Sequence, residues 1–252
     1  MTIPAFRPDR PAERRDTADP VPWRLIAITD DLRDGRDGLV ARAAAAVRGG
    51  VTMVQLRLKH TDPRTLLGVA RALVEAVPVP VIVNDRADLA LAAGAAGVHL
   101  GADDVPVAAI RRIAPPGFLI GASVGSDSEA ETAGGADYAG IGPVYRSRSK
   151  LDAGAAIGLV EFTRLAERAG LPAVAIGGIT ADTAGAAIAA GAAGVAVIAA
   201  IFASPEPEAS ARALRRAIDR ALAPADRVPG DPGDAHRPPE HRPPERRPAT
   251  ES

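Results

Sequence analysis

The chain has 252 residues, 47% of them apolar and 24% charged, with a formal net charge of -1; that is enough for one large domain or two small ones. Balanced charge argues against a generic nucleic-acid binder, and an aromatic content of 3% argues against base-stacking platforms. No cysteine is present, which excludes a disulfide scaffold, a thiolate metal site and a cysteine nucleophile, fits a reducing compartment, and leaves Ala, Val, Ile and Leu to build the core.

Residues 1–22 are rich in Pro, Arg and Asp and lack the apolar stretch of a secretory signal. They read as a disordered tail, and a cytoplasmic location is the expectation. From residue 24 a rhythm begins. Short runs rich in Val and Ile occur at 24–29, 51–57, 79–84, 97–100, 118–123, 137–142, 172–178 and 194–199. Between most of them lie segments of helical spacing, at 39–47, 64–74, 161–168 and 181–190, and a last helix at 207–222 closes the series. Strands alternating with helices imply parallel pairing and right-handed crossovers. Their near-continuous apolar character is that of strands buried on both faces. Eight units spread over residues 23–222, about 200 residues, point to a single (β/α)8 TIM barrel of the α/β class. An open doubly wound sheet is the rival arrangement, less favoured by strand count and length. The uncharged stretch 185–203 is mostly Ala and Gly, punctuated by Gly191 and Gly194. It reads as helix, turn, strand and short helix rather than a membrane span.

Residues 223–252 carry HRPPE twice in tandem, at 236–240 and 241–245, and read as a second disordered tail. A chain trimmed to residues 20–224 is expected to keep its melting temperature and activity. Loss of folding in a thermal melt of that chain would show that a tail packs on the barrel.

The chain has only two lysines, Lys59 and Lys150, one glutamine, Gln55, and one asparagine, Asn84. All four fall at or just after the C-terminal end of a predicted strand, the face on which barrels of this kind build active sites. Alternation places Gln55, Arg57 and Lys59 on one side, towards the barrel mouth. Two cations and an amide there suit a polyanion such as diphosphate. Asp85 and Asp104 follow neighbouring strands. Helix capping is one role open to them; the other is Mg²⁺, which is usually held by one or two carboxylates and substrate phosphates. His99 reads as a packed or supporting histidine. The loop after the sixth strand, Tyr145-Arg146-Ser147-Arg148-Ser149-Lys150, is rich in hydroxyls and cations, as is an ordinary polar loop or a phosphate-binding one. Strands seven and eight end in Gly177-Gly178-Ile179-Thr180 and Ile198-Ala199-Ala200, where small residues let backbone N–H groups approach a phosphate.

The segments GGVTMVQLRLK (49–59), VNDRADLA (83–90), GVHLG (97–101) and AIGGI (175–179) resemble the thiamine phosphate synthase family, in order, across roughly residues 24–204. The resemblance implies a transferase. It would displace diphosphate from 4-amino-2-methyl-5-(diphosphomethyl)pyrimidine with the nitrogen of a thiazole phosphate, giving thiamine phosphate. It also implies that Gln55, Arg57, Lys59, Asn84, Ser123 and Lys150 hold the pyrimidine diphosphate, with Arg57, Lys59, Ser123 and Lys150 acting in catalysis. Asp85 and Asp104 would carry Mg²⁺, and Ser147, Ser149, Gly178, Ile198 and Ala199 would surround the thiazole phosphate. The implied partners are small molecules, with no nucleic acid and no membrane. The chain departs from the family's usual residues: Leu58 and Asp103 stand where Glu or an equivalent acid is usual, Ala102 where Gln is, Arg146 where Pro is, Ser147 and Ser149 where Thr is, and Ala199 where Ser is. Thiazole tautomerase relatives share the barrel but place His where Pro143 stands. A non-catalytic barrel that senses a phosphorylated ligand and another phosphate-handling barrel enzyme are the remaining alternatives.

Overall fold

Eight short strands alternate with helices in the computed structural model, which describes residues 21–146 and 155–223. The strands are β1 (Leu25–Ile28), β2 (Met53–Leu56), β3 (Val81–Asn84), β4 (Gly97–Leu100), β5 (Leu119–Val124), β6 (Tyr138–Ile141), β7 (Ala173–Ile176) and β8 (Gly194–Val197). Each pairs in parallel with the next, and β8 returns to β1, so the sheet is a closed barrel. Around it run α1 (Gly35–Arg48), α2 (Pro63–Ala76), α3 (Ala87–Ala93), α4 (Val107–Ile113), α5 (Asp127–Thr132), α6 (Gly158–Ala169), α7 (Ala181–Ala189), α8 (Ala199–Phe202) and α9 (Pro207–Leu222). The expected tails, 1–22 and 223–252, lie outside the described residues except at their inner ends. Among the described residues no helix is long and apolar enough to cross a membrane.

Period-two alternation divides the strand side chains between two cores. Leu25 and Ala27 face the helices, whereas Ile26 and Ile28 face inward. The same parity sends Val54 and Leu56 out and Met53 in, and sends Val195 and Val197 out and Ala196 in. Ile26, Met53, Ile82, Tyr138 and Val174 pack the interior, each at most 1% exposed. A large apolar side chain gains about 1.5–3 kcal/mol on leaving water, so the barrel is a filled plug rather than a pore. The core is also wider in composition than Ala, Val, Ile and Leu: Met53, Tyr138, Phe162 and Phe202 are fully buried.

Helix α2 shows how local sequence sets an element. Asp62 accepts a hydrogen bond from the Thr65 N–H at 3.0 Å, and Pro63 occupies the first turn, both favourable at a helix start. Leu66, Val69, Ala70 and Leu73 are its buried residues, the i, i+3, i+4, i+7 stripe that faces the sheet. The helices α3, α4 and α5, which apolar spacing does not announce, have 7, 7 and 6 residues. That is too short for a 3.6-residue period to repeat convincingly.

Candidate active site

The C-terminal ends of the strands surround a cavity of about 980 Å³. Gln55, Arg57, Lys59, Asn84, Asp85, Asp104, Ser123, Gly178, Ile198 and Ala199 all line it. Ser147, Ser149 and Lys150 lie outside the described residues. A separate hollow of about 560 Å³ is lined only from α1 and α2, by residues such as Ala41, Ala44, Gly68 and Ala72. No strand end reaches it.

The β2 side of the cavity is set by parity and by a clamp. Gln55 shares the inward parity of Met53 and is 4% exposed; its amide donates to Asn84 Oδ1 at 2.7 Å. Strand β2 ends at Leu56, so Arg57 and Lys59 stand on the loop rather than on the strand. Arg57 is nevertheless held in register. The hydroxyl of Thr29, a fully buried residue, accepts from the Arg57 N–H at 2.9 Å and donates to the Arg57 carbonyl at 3.2 Å. This clamp was not foreseen, because Thr29 reads as one more β-branched residue at the end of an apolar run.

Asp85 sits in a tight turn. Its φ is +63°, and the Arg86 N–H donates to the Asn84 carbonyl at 2.7 Å across it. This is a three-residue turn of the strained kind, in a backbone region that Asp and Asn enter more readily than other side chains. Neither carboxylate caps a helix. The residue before α3 is Arg86 and the residue before α4 is Pro106, and neither helix start has a side-chain cap. Asp104 instead accepts from the Gly101 N–H at 2.6 Å. Asp85 is exposed within the concave mouth, yet the surrounding walls thin its hydration. That desolvation, then the Asp104 carboxylate beside it, push its pKa up to about 6, while the Asn84 amide and the Arg57 guanidinium pull the other way. Two hard-oxygen groups drawn together at such a cost are a donor pair suited to a hard divalent cation.

On the opposite side, Gly177 and Gly178 follow β7 with φ of +93° and +65°. A Cβ on Gly177 would stand 2.6 Å from Pro143 Cα, and one on Gly178 2.5 Å from the Arg146 carbonyl oxygen. Only glycine fits both the conformation and the close approach. The β6 loop lies directly against this turn, with the Tyr145 N–H donating to the Gly177 carbonyl at 3.0 Å. Beside it, α8 is tied to the β1 loop and to α1: Arg33 of the loop donates to the Phe202 carbonyl at 2.9 Å, and the guanidinium of Arg42 on α1 lies 5.9 Å from the Phe202 ring centre.

Glu129, which accepts from the Gly125 N–H at 2.6 Å, and Tyr138 also line the cavity and are not singled out by the sequence, whereas Arg146 lines it as part of the cation-rich loop after β6. Of the departures from the family's usual residues, Ala102, Asp103, Arg146 and Ala199 line the cavity. Leu58 is buried in the outer core.

The chain matches the family described as thiamine monophosphate synthase over residues 25–201. A thiamine-phosphate synthase of Methanoculleus marisnigri is 50% identical to it over 208 residues, which are 80% of this chain and 98% of that protein. One of Roseiflexus castenholzii is 42% identical over 195 residues, 75% of this chain and 86% of that protein. Among solved structures, a thiamine phosphate pyrophosphorylase from Pyrococcus furiosus is 34% identical with a TM-score of 0.71, and the match covers 80% of this chain and 98% of that one. A 3-hexulose-6-phosphate synthase, 21% identical with a TM-score of 0.60, shares the barrel alone.

Proposed function

The chain belongs to the thiamine monophosphate synthase family, and we propose that its barrel mouth forms thiamine phosphate by transferring a pyrimidinylmethyl group from diphosphate to a thiazole phosphate. The observation that carries this reading is the meeting of the Asp85–Asp104 pair with Gln55, Arg57, Lys59 and Asn84 at one cavity. In the reaction the bond between the methylene carbon and the diphosphate oxygen breaks, and a bond between that carbon and the thiazole nitrogen forms. The aminopyrimidine can stabilise a cationic methylene, so departure can precede attack.

The leaving diphosphate gathers negative charge, and preorganised cations and donors stabilise it as it develops. Arg57, held by Thr29, presents a fork suited to paired phosphate oxygens, and Lys59 presents a compact charge. Lys150, on the loop after β6, is assigned the same task. Ser123 contributes a hydroxyl, and Gln55 and Asn84 orient the pyrimidine diphosphate. Asp85 and Asp104 would hold Mg²⁺, which supplies positive charge to the diphosphate oxygens when bound. Gly178, Ile198 and Ala199 would surround the thiazole phosphate with Ser147 and Ser149; Ala199 offers only its backbone N–H. Pro143, where tautomerase relatives carry His, lines the cavity and favours synthase over tautomerase. We assign the chain to the cytoplasm and to small-molecule substrates.

Asp85 makes the metal assignment testable by pH. A raised folded pKa means that, without a cation, the protonated carboxyl suits the fold better. That stability is present below the unfolded carboxylate pKa and is lost as pH rises through about 6. Cation binding needs the ionised form. The rise in melting temperature produced by Mg²⁺ with inorganic diphosphate is therefore expected to be large above pH about 6 and to fade below it. A shift equal on both sides of that pH, or equal in Asp85→Asn, would remove Asp85 from the metal site.

A further inference from the structure

From Ser123 a line of hydrogen bonds runs across the barrel interior through His99 to Tyr138, and all three residues line the cavity. Ser123 Oγ lies 3.1 Å from His99 Nε2, and His99 Nδ1 lies 3.0 Å from the Tyr138 hydroxyl. The three residues come from adjacent strands, β5, β4 and β6. Tyr138 is 1% exposed, and its ring stacks on Trp23 with centroids 5.7 Å apart. The neighbouring backbone leaves room for this pair of rings. A Cβ on Gly121 would stand 2.5 Å from both the Tyr138 hydroxyl oxygen and His99 Nδ1, and one on Gly140 would stand 3.0 Å from His99 Cε1. Any side chain at 121 would be a wedge driven through the Tyr138–His99 bond.

The donor inventory gives the line a direction. Burial pushes the Tyr138 pKa far upward, so the group stays a neutral phenol with a proton to place. Among the described residues, His99 Nδ1 is the one hydrogen-bond partner of that hydroxyl. Buried donors are almost always paired, so the phenol donates to Nδ1. The imidazole proton then sits on Nε2 and is donated to Ser123 Oγ. Ser123 accepts on one side and keeps its own O–H proton for the cavity. With the opposite tautomer, Ser123 would donate to Nε2 and turn lone pairs towards an anion.

We propose that Tyr138, acting through His99, is a positioning residue that sets the Ser123 hydroxyl as a donor towards the departing diphosphate. The role of the diphosphate rests on the function proposed above; the direction of the relay does not. Two measurements on the full chain separate them. Nitrogen-15 NMR of histidine-labelled protein, with the His99 signals assigned by their loss in His99→Asn, reports the tautomer without any substrate. The wild type is expected to show the Nε2–H form, and Tyr138→Phe to lose that preference. In the condensation assay Tyr138→Phe is expected to lower kcat about tenfold, with each KM changed by less than about twofold. In a Ser123→Ala background the same substitution is expected to cost nothing further, an outcome that general loosening of the barrel would not give. An Nδ1–H form of His99 in the wild type, or an equal slowing by Tyr138→Phe with and without Ser123, overturns the relay. A chain inactive with both substrates overturns the proposed reaction, and the tautomer measurement then still decides the relay.

Discussion

Asp85→Asn lowers turnover on the order of 10²-fold or more, as expected when charge stabilisation of a leaving group is lost, while the fold is retained. The substitution removes the carboxylate and little else. Asparagine enters the backbone region at φ +63° as readily as aspartate does, so the turn between β3 and α3 survives. The amide is neutral, so the like-charge push between Asp85 and Asp104 disappears as well. The metal-free variant is therefore expected to melt no lower than the parent chain at neutral pH. Turnover at saturating Mg²⁺ and a melting curve for both chains check this. EDTA is expected to abolish the parent activity, and full activity in metal-free buffer would remove the carboxylate pair from the mechanism.

Lys59→Ala is the second large effect, again on the order of 10²-fold in the rate of condensation. Lys59 stands on the β2 loop at the same cavity as the carboxylate pair, and its charge is assigned to the leaving diphosphate. Thiazole phosphate binds at the β7–β8 side in this account, so its affinity is expected to change little in the same variant. Lys59→Arg should rescue only in part, because a planar fork cannot reproduce the contacts of a compact ammonium. Lys150→Ala is expected to behave as Lys59→Ala does. A tautomerase would neither bind the pyrimidine diphosphate with Mg²⁺-dependent affinity nor release diphosphate. A sensor would bind one ligand and turn over nothing. Unchanged condensation in both alanine variants would contradict the assignment of the two lysines.

The barrel was legible because its strands are buried on both faces, which writes them as runs of Val, Ile and Ala such as 79–84 and 194–199. The mouth was legible for a different reason. Gln55 and Asn84 are the only residues of their kinds in the chain, and the strand register brings them together at 2.7 Å. Helices α3 to α5 stayed hidden because six or seven residues, rich in Ala or in Asp and Ser, carry no full apolar period. The Thr29 clamp stayed hidden because threonine in an apolar run satisfies strand propensity whether or not its hydroxyl has a task. Capping stays open for Asp85 beside the metal role on sequence alone, because Asp is a favoured residue at a helix start; its turn is visible only in the backbone. The path from Ser123 through His99 to Tyr138 joins residues 24 and 39 positions apart. It exists only once β4, β5 and β6 are paired in register, and no local pattern announces such a contact.

The account as a whole turns on one reaction. The full chain, mixed with 4-amino-2-methyl-5-(diphosphomethyl)pyrimidine, the thiazole phosphate and Mg²⁺, is predicted to yield thiamine phosphate and diphosphate in equal amounts, with neither product formed when any component is left out. Isomerisation of the thiazole alone, or binding of both substrates with no diphosphate released, would contradict it.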